Sequence, residues 1–231
     1  MPHKNEAASA NRLAINRNLP YKSGLACENY LVTEAQFEKA VAAITSITPR
    51  PEITLDEMPA PQKLAPFSFA ISAEVTNGDY EIGSGRFVLL HQPGGQDAWE
   101  GEFRCVSYLS VDLEEMMQDD PLLPEVGWNW LLESLSNNGC NLAAASGTVT
   151  RAVSHSFGKL TPNADGADIE IRASWTPVIS APADIASHFE GWLQLLAELA
   201  GLAPIPEGVA DRKSTRLNSS HTDISRMPSS A

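Results

Sequence analysis

The stretch from Gly85 to Leu109, GRFVLLHQPGGQDAWEGEFRCVSYL, constrains the fold more than any other part of the chain. Two runs rich in aromatic and β-branched residues flank Pro93-Gly94-Gly95, which predicts a β-hairpin. With His91 opposite Trp99, Leu89 faces Gly101 and Phe87 faces Phe103, because directly opposed residues share a face. One face then carries Phe87, Leu89, His91, Trp99, Phe103 and Cys105, and is the core side. The other carries Arg86, Val88, Leu90, Glu100, Glu102, Arg104 and Val106, and suits water. A slip of one residue would bury the charges. Gly101 leaves room for a bulky neighbour or marks a bend.

The flanking segments supply elements to cover that core side. Thr33 and Gln36 make a capping-box pattern, followed at helical spacing by Phe37, Ala40, Val41, Ile44 and Ile47 until Pro49 stops the run. Pro59, Pro61 and Pro66 favour extended chain. Phe67 to Thr76 alternates as a half-buried strand, and Asn77-Gly78 turns it into the hairpin. Gly127 to Asn138 reads as a second helix ended by Gly139, with Trp128, Leu131, Leu132 and Leu135 on one face and Trp130 elsewhere. Leu142 to Phe157 and Ala167 to Thr176 read as two further strands. Asp184 to Ala200 is the last helix, with Ile185, Phe189, Trp192, Leu195, Leu196 and Leu199 as its apolar stripe. The order α-βββ-α-ββ-α predicts a single α+β domain: an antiparallel five-stranded sheet with helices packed on one face. Phe87, Phe103, Trp175 and Trp192 are expected to be buried together.

The chain ends differ from its middle. Residues 1–29 lack sustained periodicity and read as a disordered N-terminal arm. Residues 30–210 form the α+β domain. Residues 211–231, DRKSTRLNSSHTDISRMPSSA, resemble a translated sequencing adapter, so the natural C-terminus is expected to differ beyond about Ala210. Across the whole chain, 16 basic and 29 acidic residues give a formal net charge of −13. The tail holds four of the basic and two of the acidic residues, so the remainder is more acidic, near −15. Binding through phosphate neutralisation needs Lys and Arg, so nucleic acid is an unpromising partner. No apolar run reaches the roughly 18 residues of a membrane span, and the N-terminus lacks a signal-peptide core. Cys27, Cys105 and Cys140 have neither a disulfide-framework nor a zinc spacing. A cytoplasmic protein is the expectation.

The sequence shows no Gly-rich phosphate loop, GxSxG elbow, HExxH or CxxC, so neither a cofactor nor a resident metal is expected. The acidic run Asp112 to Asp120 offers oxygen ligands but lacks a calcium-loop spacing, and reads as a solvated connector. Two readings of function remain. The first is a non-enzymatic binding or adaptor module with a protein partner or a second copy, using the sheet face, an edge or the Trp128–Trp130 region. The second is a small-molecule enzyme with a cleft near His91, Trp99, Arg151 and His155. Arg151 shares its predicted strand side with Val149 and Val153. It therefore either lines a polar cleft or is turned outward by a bulge at Gly147. The absence of a catalytic constellation favours the adaptor.

Six blocks in order, LAPFSFA, the hairpin itself, DPLLPEVGWNWLLESL, ASGTVTRAVSHSFG, IEIRASWTP and HFEGWLQLLAELAGL, resemble the actinobacterial domain of unknown function 3000 family. The resemblance spans roughly Thr33 to Val209. It implies a bacterial cytoplasmic protein, and it brings no activity, cofactor or catalytic residue.

Overall fold

The computed structural model describes residues 25–113, 120–157 and 166–204, with side chains of the first helix described from residue 33. Most of the N-terminal arm, all of the adapter-like tail and the middle of the acidic connector lie outside these residues. The elements run α1 (Leu25–Thr45), β1 (Ile53–Met58), β2 (Phe67–Asn77), β3 (Tyr80–Gln96), β4 (Gly101–Asp112), α2 (Leu123–Asn137), β5 (Asn141–Ser154), β6 (Gly166–Val178) and α3 (Ile185–Leu199). The strands form one antiparallel sheet in the order β1-β2-β3-β4-β6-β5.

The sheet therefore has six strands where alternation predicts five. The additional strand is β1, ITLDEM, in which Ile53 is the one fully buried side chain. It pairs with β2 alone. An edge strand with one neighbour needs little apolar alternation, so its pattern is weak. Helix α1 also starts two turns before Thr33, directly after Gly24, because no Gly or Pro interrupts Leu25 to Thr45. Residues 25–29 thus belong to a helix rather than to the arm.

Alternation places the core correctly even where it misplaces the register. His91 pairs with Phe103, Leu89 with Cys105 and Phe87 with Ser107, a shift of four residues from the expected pairing. Four is even, so the paired residues keep their faces, whereas Trp99 falls in the turn rather than opposite His91. Phe69, Leu89, Cys105 and Trp175 form one row across four strands, all of them buried. Phe37 and Ile44 of α1, Leu131 and Leu135 of α2, and Phe189 and Trp192 of α3 join them in a single core. All three helices therefore lie on one face, and the molecule has two layers. Phe87 meets Trp192 with ring centroids 5.5 Å apart and Trp175 at 6.2 Å. Phe103 belongs to the same core.

The outer face is less wet than its charges suggest. Leu90 and Arg104, both expected in water, are 3% and 7% exposed. Leu90 lies opposite Ser68, whose hydroxyl donates to the Pro61 carbonyl at 2.9 Å, so the 59–66 connection reaches this part of the face. Arg104 is enclosed by its neighbours on β5 and β6.

Candidate binding site at the hairpin end

Regular pairing of β3 and β4 stops at His91–Phe103 and resumes once, at Gln96–Gly101. Between them Pro93 has no N–H to offer the ladder. Gly94 and Gly95 adopt left-handed φ values of 83° and 78°, which glycine accepts without steric penalty. Pro-Gly-Gly therefore builds a bulge, and the reversal itself falls at Asp97–Glu100. Glu100 sits there at φ 59°, a conformation uncommon for a residue with a side chain.

Glu102, next to Phe103 on β4, lies between this bulge and the buried His91. Glu102 Oε1 accepts from the Gly94 amide at 3.0 Å, and its Oε2 stands 3.8 Å from His91 Nε2. The His91 side chain is fully enclosed. Its ring stacks on Phe103 at 4.1 Å and 5°, with Phe67 and Phe37 at 5.6 and 6.1 Å. Neither ring nitrogen has a hydrogen-bond partner. Burial holds its pKa below the ordinary imidazole value, against the opposing pull of the Glu102 charge. His91 is thus a neutral ring beside a carboxylate that it does not reach.

Glu102 and Phe103 also line a groove of about 340 Å³, together with Gln36 of α1, Glu100, Gly101 and the segment Thr176–Pro182. Its accessible charges are carboxylates, and Phe103 and Pro177 supply apolar wall. Such a groove can hold a cationic group on an apolar stem. Trp99 is half-buried at the hairpin tip, where its carbonyl accepts from the Thr176 hydroxyl.

Arg151 and His155 lie elsewhere. Arg151 pairs with Ile169, seven residues along β6 from Thr176, or about 23 Å at the usual strand rise. It does share its side with Val149, as the alternation predicts. However, the helix layer does not cover this part of β5, so Arg151 is exposed and donates to the Asp120 carbonyl at 3.1 Å. His155 is exposed as well. The expected four-residue cleft is therefore not assembled: His91 and Trp99 lie at one end of the sheet, Arg151 and His155 at the other. A bulge does interrupt β5, between Ala143 and Ser146, but it precedes Gly147 and leaves the facing of Val149 to Val153 intact.

The two tryptophans of α2 part company. Trp128 overlies Gly147 of β5, where an added Cβ would meet its ring at 2.7 Å. Trp130 lines a hollow of about 140 Å³ with Asp112, Leu113 and the end of α3. They form no common aromatic wall.

Two buried polar groups hold the architecture. Arg104 donates to the Ala144 carbonyl at 2.9 Å and to the hydroxyls of Thr176, Ser174 and Ser146 at 3.1, 2.7 and 3.4 Å. It thereby satisfies the bulged strand, where Ala144 takes a left-handed φ of 45°. Inside the core, Trp175 Nε1–H donates to His188 Nδ1 at 3.2 Å. That bond requires a neutral ring, and burial pushes the His188 pKa down to about 4.

Among the described residues no group of His, Cys, Asp or Glu is arranged to hold a metal ion, and no helix is long and apolar enough to cross a membrane. The model of the family described as "Protein of unknown function (DUF3000)" matches residues 33–210. No curated protein and no solved structure matches the chain. The chain belongs to the DUF3000 family.

Proposed function

We propose that this DUF3000 member is a cytoplasmic binding or adaptor module whose partner is another protein or a second copy of itself, engaged through the free edge of β5. The contrast between the two sheet edges carries this reading. Edge β1 is six residues long and exposes Asp56 and Glu57, the kind of charged guard that blocks unwanted strand pairing. Edge β5 has 14 residues. Among the described strands it is the one without an acidic residue, and its single charge is Arg151. From Ser146 to Ser154 its pairing with β6 is regular, which leaves an ordered row of backbone groups on the far side. A partner strand can add there through main-chain hydrogen bonds.

The test is affinity capture from lysate of the source cell, using the full chain and a Thr148→Lys/Thr150→Lys variant. Both threonines are exposed, so the lysines should guard the edge without disturbing the core. Partners held by the parent chain and lost by a variant of equal melting temperature support the reading. Identical capture by both chains sinks it.

The unreached His91–Glu102 pair favours a second reading, in which the hairpin-end groove takes a small cationic ligand on Glu100 and Glu102. Binding of a cationic probe such as spermidine, lost on Glu102→Gln, would support it. An unchanged isotherm in that variant would exclude it.

A further inference from the structure

We propose that β5 pairs antiparallel with β5 of a second copy of this chain, about a two-fold axis at Thr150. The proposal rests on the reading of β5 as the binding edge and names its occupant.

Three observations select a second copy. The regular stretch Ser146 to Ser154 is bounded on one side by the bulge at Ala143–Ser146, and its midpoint is Thr150. Pairing about that midpoint uses the whole stretch, and a two-fold axis makes one surface complementary to itself.

The second observation concerns packing. Paired residues share a face, so Val153 of one copy falls opposite Gly147 of the other. Trp128 overlies that glycine. Val153 is 48% exposed and Trp128 half-buried in the single chain. The pairing sets each Val153 against the other copy's Trp128 ring, so both side chains lose water contact.

The third is charge. At a formal net charge of −13, copies of this chain repel one another over most of their surfaces. Every other strand carries at least one acidic residue, from Asp56 on β1 to Asp168 and Glu170 on β6, whereas β5 carries none. Two β5 edges can therefore meet without opposing carboxylates. Arg151 falls opposite Val149, and each Arg151 stays on its own Asp120 carbonyl.

Analytical ultracentrifugation of the full chain should show a dimer, and Thr148→Lys/Thr150→Lys should give a monomer of unchanged fold by circular dichroism. Thr150→Cys should form a covalent dimer on mild oxidation, because opposed side chains on the axis are within disulfide reach. The parent chain, which keeps Cys27, Cys105 and Cys140, serves as its control. A dimer that survives the lysine variant overturns this surface. A parent chain that is monomeric at every concentration overturns the second copy, and hydrogen exchange then separates the two ideas. Fast exchange across Ser146–Ser154 leaves the edge free for a different protein. Slow exchange in a monomer means the chain's own segments cover the edge, and the binding-edge reading falls too.

Discussion

Gly85 lies directly beneath Trp192: a Cβ at position 85 would stand 2.7 Å from the indole Cζ2 and 2.8 Å from Leu109 Cδ2. The indole cannot drift aside freely, because its Nε1–H donates to Ser107 Oγ at 2.8 Å within the buried core. The seating of Trp192 of α3 on the sheet thus depends on a missing side chain in β3. Gly85→Ala should destabilise the protein by about 1–3 kcal/mol through overpacking. Urea denaturation measures it, and adding Trp192→Phe should recover part of the loss. A neutral Gly85→Ala would mean that α3 stands further from the sheet than described.

Stability should fall on acidification, and His188 supplies part of the slope. Its pKa is about 4 in the folded chain and about 6.5 when unfolded. The unfolded state therefore takes up the proton first. The contribution is complete above pH 6.5 and shrinks as pH drops towards 4, by up to roughly 3 kcal/mol. His188→Gln keeps an acceptor for the Trp175 N–H and removes the titration. Its unfolding free energy should vary less between pH 7 and 4.5 than the parent's, and parallel curves would refute the assignment.

His91→Phe should be neutral or stabilising. It preserves the stack with Phe103 and Phe67 while removing two ring nitrogens that are buried without partners. An unsatisfied buried polar group costs about 1–3 kcal/mol. Thermal melts at pH 7.5 read the change. A clear drop in melting temperature would show that His91 bonds Glu102 in solution, which would strengthen the case for a ligand at the groove.

Arg104→Met should cost about 2–4 kcal/mol, since it leaves the Ala144 carbonyl and three hydroxyls without their shared donor. Because Arg104 ties β4 to the bulge of β5, amide exchange should rise at Ala143–Ser146 more than elsewhere. A uniform rise across the sheet would instead make Arg104 a general stabiliser.

Much of the architecture was legible in the sequence because period-two alternation survives errors of register. The hairpin pairing expected from Pro-Gly-Gly is off by four residues, yet Phe87, Leu89, His91, Phe103 and Cys105 all lie in the core as alternation requires; Trp99, assigned to the same face, is half-buried in the turn instead. The apolar stripe of α3 was equally plain: Ile185, Phe189, Trp192, Leu195 and Leu196 are all buried, and Leu199 at the helix end is half-buried. The sequence singled out His91 and Trp99 at the hairpin end, and neither lines the groove there. Glu102, which does line it, could not be singled out, because its parity assigns it to the face opposite His91.

What the sequence determined alone is which side of each strand an atom occupies. What covers that side was decided by the tertiary structure. Arg104 is buried on the polar face because β6 and the bulged end of β5 surround it with oxygen atoms. Arg151 is exposed on the apolar side because the helix layer does not extend over it. Alternation is a local property of the backbone, set by successive side chains pointing to opposite faces. Enclosure depends on elements remote in the chain: Ala144 lies 40 residues from Arg104, and Thr176 lies 72.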